Sequence, residues 1–233
     1  MKGFTPLKLA AHFTSGAIGI RYYQIDKKRI DRRQLLSCCP VLPEEIQLSI
    51  ESRQIEYLAG RYCAVQALRG LGMTAPLVGR HSDRSPRWPA GTYGSLSHTD
   101  NRVLACAGWQ SEYTGFGIDI EKTVLQEMLP SLEQLVFSVA DRQWINHSSE
   151  LTLCQTATLL FSAKEAFYKF ICPHICTYLD FTDVSVVAFS DGEFAVELHK
   201  HLGRDWYKGK VVSGKYHFDD EHVMTLIAEM SQP

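Results

Sequence analysis

The sequence of 233 residues contains no apolar run near the ~20 residues that a membrane span requires. Its beginning has no basic region followed by a continuous apolar core, so we expect no secretory signal and a cytoplasmic protein. Charge of one sign is also scarce, because 24 basic and 26 acidic residues leave a formal net charge of -2. That balance excludes a general attraction to nucleic acid or to an anionic membrane, so any anion must be bound by a local cluster of cations.

The sequence also lacks the cysteine pattern of a disulfide framework. Its seven cysteines are an odd number at irregular spacing, which predicts reduced and mostly buried thiols. No long Gly, Ser or Pro tract interrupts the chain, and the 45% hydrophobic and 21% charged residues are typical of a globular protein.

Apolar periodicity and turn residues predict an α+β protein with two segments that have a similar mixture of helices and strands. In chain order, the predicted elements are strands within 4–25, a helix over 44–70, an irregular basic loop over 79–94, a strand pair over 95–107, a strand over 115–121, helices over 131–145 and 152–171, and four strands between 184 and 229.

The stretch GIDIE at 117–121 is the sharpest local feature. Side chains alternate along a strand, so Asp119 and Glu121 share one face while Ile118 and Ile120 point into the core. Adjacent carboxylates repel unless a cation or a proton lies between them. This pair therefore suits Mg²⁺, although a solvated strand face would carry the same pattern.

The stretch FSAKEAFYKF at 161–170 adds a third carboxylate. On a helix, Glu165 and Lys169 lie one turn apart on nearly the same face, which alone would make an ordinary surface ion pair. The surrounding residues are largely aromatic, however, and leave little room for a solvated face. We expect Glu165 to join Asp119 and Glu121 at a metal, with Lys164 and Lys169 free to neutralise phosphate oxygens.

Further cations favour a phosphate-rich substrate. Arg53 and Arg61 are separated on the predicted helix by about 80° of rotation and about 12 Å of rise, so both can lean toward one groove. Ser97 and His98 end a strand beside the basic loop that carries Arg84. Each of these residues alone is more often structural, and only their combination indicates a binding site.

With these residues, the sequence resembles the 4'-phosphopantetheinyl transferases of the enterobactin type. GIDIE and FSAKEAFYK resemble the family's metal-binding strand and helix. Upstream, RQIEYLAGR at 53–61 and RWPAGTYGSLSH at 87–98 resemble two further motifs of that type. The four motifs occur in the family's order and cover residues from about 53 to 170.

The resemblance implies a fold, an activity and a set of site residues. The fold would be two similar α/β subdomains, 1–114 and 115–233, related by a pseudo-twofold, with coenzyme A in the cleft between them. Asp119, Glu121 and Glu165 would hold Mg²⁺, or Mn²⁺ in its place, and Glu165 and Lys169 would be catalytic. The residues implied to bind coenzyme A are Arg53, Arg61, Arg84, Ser85, Pro86, Ser97, His98, Asp119, Lys164 and Lys169.

The implied reaction moves 4'-phosphopantetheine from coenzyme A to a serine of an apo carrier protein and releases 3',5'-ADP. The expected partners are carrier proteins of nonribosomal peptide or siderophore synthesis, and we expect the enzyme to be a monomer. Glu165, directly or through a metal-bound water, is the leading candidate for the base. Two alternatives remain: a Mg²⁺-dependent phosphohydrolase or nuclease, which should carry a broader basic surface, and a nucleotide-binding module without catalysis.

Overall fold

The computed structural model describes residues 1–14, 17–147, 151–175 and 177–231. The protein has the predicted α+β class, with six α-helices and eleven strands in the part of the chain that is described. It divides into two compact units, Met1–Phe116 with Glu229–Pro233, and Gly117–Ala228. Over the same described ranges, no helix has both the length and the apolar character needed to cross a membrane.

The elements of the first unit are β1 (Phe4–Pro6), β2 (Gly19–Ile25), α1 (Arg32–Leu36), α2 (Glu44–Gln47), α3 (Glu51–Gly70), β3 (Gly79–Arg80), β4 (Pro86–Arg87), β5 (Thr92–Thr99) and β6 (Arg102–Trp109). They include a four-stranded sheet in the order β1-β2-β6-β5, whose pairs are antiparallel. Helix α3 packs on β2, β5 and β6, and buries Ala59, Ala64 and Leu68 against the sheet.

The helix predicted to run from Glu44 to Gly70 is broken, so that prediction is wrong at its start. Ile50 has an extended backbone with φ -61° and ψ 152°, which ends the helical path between α2 and α3. Gln54 then stabilises the break, because its side-chain Nε2 donates to the carbonyl oxygens of Gln47 and Ser49 at 2.8 Å each. Ile50 itself is exposed and does not contribute to the apolar helix face on which the prediction relied.

The basic segment 79–94 is more regular than predicted. Gly79 and Arg80 pair with Arg87 and Pro86 in a short antiparallel ladder, and the chain enters β5 at Thr92. The predicted strand pair over 95–107 is confirmed by the β5–β6 hairpin.

The elements that follow β6 are β7 (Tyr113–Lys122), α4 (Leu129–Leu135), α5 (Val139–His147), α6 (Leu153–Ile171), β8 (Val184–Ser190), β9 (Glu193–Leu198), β10 (Val211–Phe218) and β11 (His222–Met230). The second unit contains most of a five-stranded sheet in the order β7-β11-β10-β9-β8. Helix α6 packs on β8, β9 and β10, and Phe167 and Phe170 are fully buried in the core with Val196 and Ile227.

Helix α6 begins close to where the sequence predicts it. Thr152 caps it in a reciprocal capping box with Gln155, which satisfies backbone donors that the first helical turn would leave unpaired. The helix then approaches β7 closely at Gly117, where an added Cβ would lie 1.8 Å from the carbonyl oxygen of Ala166. Only glycine permits this approach, which sets the GIDIE strand directly beside the helix.

Candidate active site

The face of β7 that carries Gly117 and Asp119 packs against α6. Side chains two residues apart on a strand share a face, so Asp119 points toward the helix that Gly117 contacts. Asp119 is therefore only 1% exposed, while Ile118 and Ile120 are buried on the other face. The sequence placed the isoleucines correctly but did not predict that Asp119 is buried as well.

Both carboxylate oxygens of Asp119 accept hydrogen bonds. Lys169 donates from Nζ to Oδ1 at 2.6 Å, and Ser162 donates from Oγ to Oδ2 at 2.8 Å. Both donors come from α6. A buried carboxylate is costly unless paired and hydrogen-bonded, and these two contacts meet that requirement.

Glu165 is the second carboxylate beside this pair. Burial raises the pKa of Glu165, the Lys169 ammonium lowers it, and the negative charge of Asp119 raises it further, so that the net shift is upward. Glu165 therefore interacts electrostatically with both Lys169 and Asp119, and the two carboxylates outnumber the one ammonium. The excess of negative charge favours a further cation.

In the first unit, the side chains of Arg53 and His98 are in contact. Arg53 Nη1 lies 3.1 Å from His98 Nε2 and 3.3 Å from Glu56 Oε2. Lys27 in turn donates from Nζ to the other oxygen of Glu56 at 2.6 Å. Glu56 therefore contacts both Lys27 and Arg53 and fixes the position of the Arg53 side chain, which remains 45% exposed.

Arg61 differs from Arg53 because it is buried, with only 3% of the residue exposed. It lies over the ring of Tyr57, 4.8 Å from the centroid, and Nη2 donates to the Tyr57 hydroxyl at 3.3 Å. Among the described residues, Arg61 Nε has no hydrogen-bond partner. Buried donors are rarely left unpaired, so this nitrogen is suited to an anionic ligand.

The remaining predicted residues of this unit lie on β5 and on the turn between β3 and β4. Ser97 is buried on β5, opposite Leu104 of β6. In the turn, Asp83 accepts from the backbone N–H and the hydroxyl of Ser85. Arg84 is exposed with a φ of 76°, and Pro86 belongs to the short ladder.

Two family models match the chain. Residues 42–108 match the 4'-phosphopantetheinyl transferase N-terminal domain, and residues 115–227 match the 4'-phosphopantetheinyl transferase superfamily. Enterobactin synthase component D of Salmonella typhimurium is 29% identical over 225 residues, which cover 96% of this chain and 92% of the relative. The Escherichia coli protein of the same name is 33% identical over 159 residues, 68% of this chain and 73% of its own. The 4'-phosphopantetheinyl transferase Npt of Nocardia iowensis is 30% identical over 153 residues, 65% of this chain and 66% of its own.

The chain is a member of the 4'-phosphopantetheinyl transferase superfamily. It is an enzyme that transfers phosphopantetheine from coenzyme A to carrier proteins, as the family does. The family decides against the two alternatives, a phosphohydrolase or nuclease and a nucleotide-binding module without catalysis.

Lys164 requires a correction to the sequence prediction. Its side chain is completely buried, and Nζ donates to Asp141 Oδ2 at 2.5 Å, to the Val136 carbonyl at 2.8 Å and to the Phe181 carbonyl at 2.9 Å. An ammonium has three donors, and these acceptors use all of them. Burial lowers the pKa of Lys164 and the carboxylate of Asp141 raises it, with a net downward shift. In this structure Lys164 of the transferase is a structural cation and not one that is free to neutralise phosphate.

The family typically uses a divalent metal. Two of the three carboxylates predicted to bind it are suited to that role in this structure. No three His, Cys, Asp or Glu side chains of the described ranges converge enough to hold a metal ion. The predicted site of Asp119, Glu121 and Glu165 is therefore not preassembled. Mg²⁺ usually takes only one or two carboxylates and completes its shell with water and substrate phosphate. The hard oxygens of Asp119 and Glu165, with their excess negative charge, satisfy that smaller requirement.

Several residues of the site were missed by the sequence prediction. Tyr57 lies four residues before Arg61, and that helical spacing could have indicated the stacking contact. Ser162 lies inside the helix motif, but the sequence did not indicate that its side chain faces Asp119. Asp141 and Thr225 come from α5 and β11, and their contacts with α6 are visible only in the fold.

Proposed function

We propose that this enzyme activates apo carrier proteins of nonribosomal peptide or siderophore synthesis by modifying a serine and releasing 3',5'-ADP. The support for this class of pathway is that two of the relatives are named enterobactin synthase component D. The proposal includes a cytoplasmic monomer and a division into subdomains 1–114 and 115–233.

The observation that carries the proposed mechanism is the cluster of Asp119, Lys169 and Glu165 on the two recognised motifs. In the proposal, Asp119 and Glu165 hold Mg²⁺ or Mn²⁺, and Glu121 on the same strand is the third carboxylate. When bound, the metal supplies Lewis-acid stabilisation of negative charge on the pyrophosphate.

The protein residues supply the remaining steps. Lys169 places a positive charge beside the pyrophosphate oxygens of coenzyme A, where negative charge develops as 3',5'-ADP leaves and where charge stabilisation is the main requirement of phosphoryl-type transfer. Glu165 accepts the proton of the carrier serine as that hydroxyl attacks the β-phosphate.

The nucleotide end of coenzyme A is assigned to the first unit. We assign the 3'-phosphate to Arg53, Arg61 and His98, because Arg53 is held toward His98 and Arg61 has an unpartnered buried donor. Ser97 lies beside His98 on β5, and the turn residues Arg84, Ser85 and Pro86 are assigned to the adenine.

A direct assay tests the activity. The protein is incubated with coenzyme A, Mg²⁺ and several apo peptidyl, aryl or acyl carrier domains, and the carriers are analysed by intact mass spectrometry. We expect a phosphopantetheine adduct on the carrier serine, its loss in EDTA and its return with added Mg²⁺. A carrier whose serine is replaced by alanine is the control. No adduct on any carrier would contradict the proposal, and transfer that persists in EDTA would contradict its metal.

The assignment of the 3'-phosphate gives a second prediction. Arg53→Ala should raise the KM for coenzyme A about tenfold or more, because a hydrogen bond to a charged group is worth about 1.5–3 kcal/mol. The KM for 3'-dephospho-coenzyme A should already be high, and the same substitution should change it little. Steady-state kinetics with both substrates measure this difference.

The matched control for this prediction is Arg69→Ala, because Arg69 is an exposed arginine of the same helix. It should change neither KM. An equal increase of both KM values in Arg53→Ala would show that Arg53 binds another part of coenzyme A.

A further inference from the structure

Two buried hydroxyl groups form a hydrogen-bond network with the carboxylate of Asp119. Ser162 of α6 and Thr225 of β11 are both 0% exposed. Ser162 Oγ lies 2.8 Å from Asp119 Oδ2 and 2.9 Å from Thr225 Oγ1, and Thr225 Oγ1 lies 2.9 Å from the Ser162 carbonyl oxygen. Three elements of the second unit thus meet in one small polar network inside an apolar core.

The direction of these hydrogen bonds follows from counting protons. Each hydroxyl has one proton, and an ionised carboxylate can only accept. The proton of Ser162 therefore goes to Asp119, because a charged acceptor binds more strongly than a neutral hydroxyl. The proton of Thr225 then goes to Ser162, either to its carbonyl oxygen or to its Oγ.

This arrangement is unusual for a serine inside a helix. Such a serine commonly donates back to the carbonyl four residues earlier, which competes with any outward contact. Thr225 favours the outward orientation of Ser162, since it approaches both the hydroxyl and the carbonyl oxygen of that residue. The Ser162 hydroxyl is thereby directed at one oxygen of Asp119, while Lys169 contacts the other.

We propose that Ser162 and Thr225 are positioning residues that fix the Asp119 carboxylate in the orientation needed to bind a divalent cation. Ser162 acts on Asp119 directly, and Thr225 acts through Ser162. This inference rests on the proposed role of Asp119 as a metal ligand. Groups that orient a metal ligand without touching the metal commonly change metal affinity 10–100-fold when they are lost.

The test measures the binding of Mn²⁺ alone, from the loss of the free Mn²⁺ signal in electron paramagnetic resonance, together with kcat, KM and thermal unfolding. Ser162→Ala should weaken Mn²⁺ binding about tenfold or more. Thr225→Val keeps the shape of the side chain and removes the hydroxyl, so it should weaken Mn²⁺ binding several-fold. Thr225→Ser keeps the hydroxyl and should restore binding to near the value of the unmodified protein. The metal concentration that gives half-maximal transfer should rise most in Ser162→Ala, less in Thr225→Val and little in Thr225→Ser. The KM for coenzyme A at saturating metal should stay nearly constant in all three variants.

A role limited to holding α6 against β11 gives a different result. In that case Thr225→Val would lower the unfolding temperature but leave Mn²⁺ affinity within twofold, and that outcome overturns the inference. If Ser162→Ala does not fold, the comparison of Thr225→Val with Thr225→Ser decides in the same way. Failure of the unmodified protein both to bind Mn²⁺ and to modify a carrier overturns the proposed function and this inference together. Normal transfer by the unmodified protein, with metal binding unchanged in every variant, overturns this inference alone.

Discussion

Replacing Glu165 by glutamine is expected to lower kcat for carrier modification about 10³-fold without loss of folded stability. The catalytic effect follows because glutamine neither accepts the serine proton nor contributes a charged ligand, and general base catalysis alone is worth about 10²–10⁴-fold. The stability effect follows from the raised pKa of Glu165, caused first by burial and then by Asp119. A carboxyl group whose folded pKa is raised loses its favourable contribution as the pH rises, so at neutral pH the charge of Glu165 costs stability. In EDTA, Glu165→Gln should therefore unfold at the same temperature as the unmodified protein or at a higher one.

Calorimetry with and without Mg²⁺ completes this experiment. Added Mg²⁺ should raise the unfolding temperature of the unmodified protein, because a ligand of the folded state stabilises it, and should raise that of Glu165→Gln much less. Glu133→Gln is the matched control, since Glu133 is exposed and should affect neither turnover nor the response to metal. Turnover of Glu165→Gln near that of the control would remove Glu165 from both of its proposed roles.

The parts of the site that could be predicted are those whose evidence is local in sequence. Alternation along 117–121 placed Asp119 on a strand face, and helical spacing placed Glu165 and Lys169 on one side of a helix. The close approach that joins them depends on Gly117, which is itself part of the strand motif. The ion pair between Lys169 and Asp119 was not predicted, because Lys169 was expected to be free to neutralise phosphate oxygens.

The parts that could not be predicted depend on contacts between distant segments. Lys164 and Lys169 are equally basic in sequence, yet one is buried among Asp141, Val136 and Phe181 while the other contacts Asp119. Arg53 and Arg61 likewise share a helix, but the neighbours of Arg61 bury it and leave Arg53 half-exposed. Helical spacing gives the direction of a side chain, whereas the packing of other elements determines whether it reaches solvent.

The buried pair of Lys164 and Asp141 gives the largest expected effect on stability. Asp141 also accepts from the backbone N–H groups of Ser138 and Val186, at 2.7 and 2.9 Å, so the pair ties α6 to the start of α5 and to β8. The net downward shift in the pKa of Lys164 indicates that its desolvation exceeds the attraction of Asp141. Removing one partner leaves the other charge buried without compensation, which typically costs about 3–5 kcal/mol.

We therefore expect Lys164→Met and Asp141→Asn each to lower the free energy of unfolding by about 3 kcal/mol or more. The double variant should lose clearly less than the sum of the two, because it leaves no isolated charge, and the difference should be about 1–3 kcal/mol. Chemical denaturation of the four proteins measures this coupling. In the folded fraction of Lys164→Met, the KM for coenzyme A should remain near its original value. Lys169→Met should differ from Lys164→Met by a large loss of kcat. It should also lower stability, because it leaves the buried carboxylate of Asp119 without its ammonium partner. A Lys164→Met protein of normal stability with a raised KM for coenzyme A would contradict the structural role and return Lys164 to the substrate.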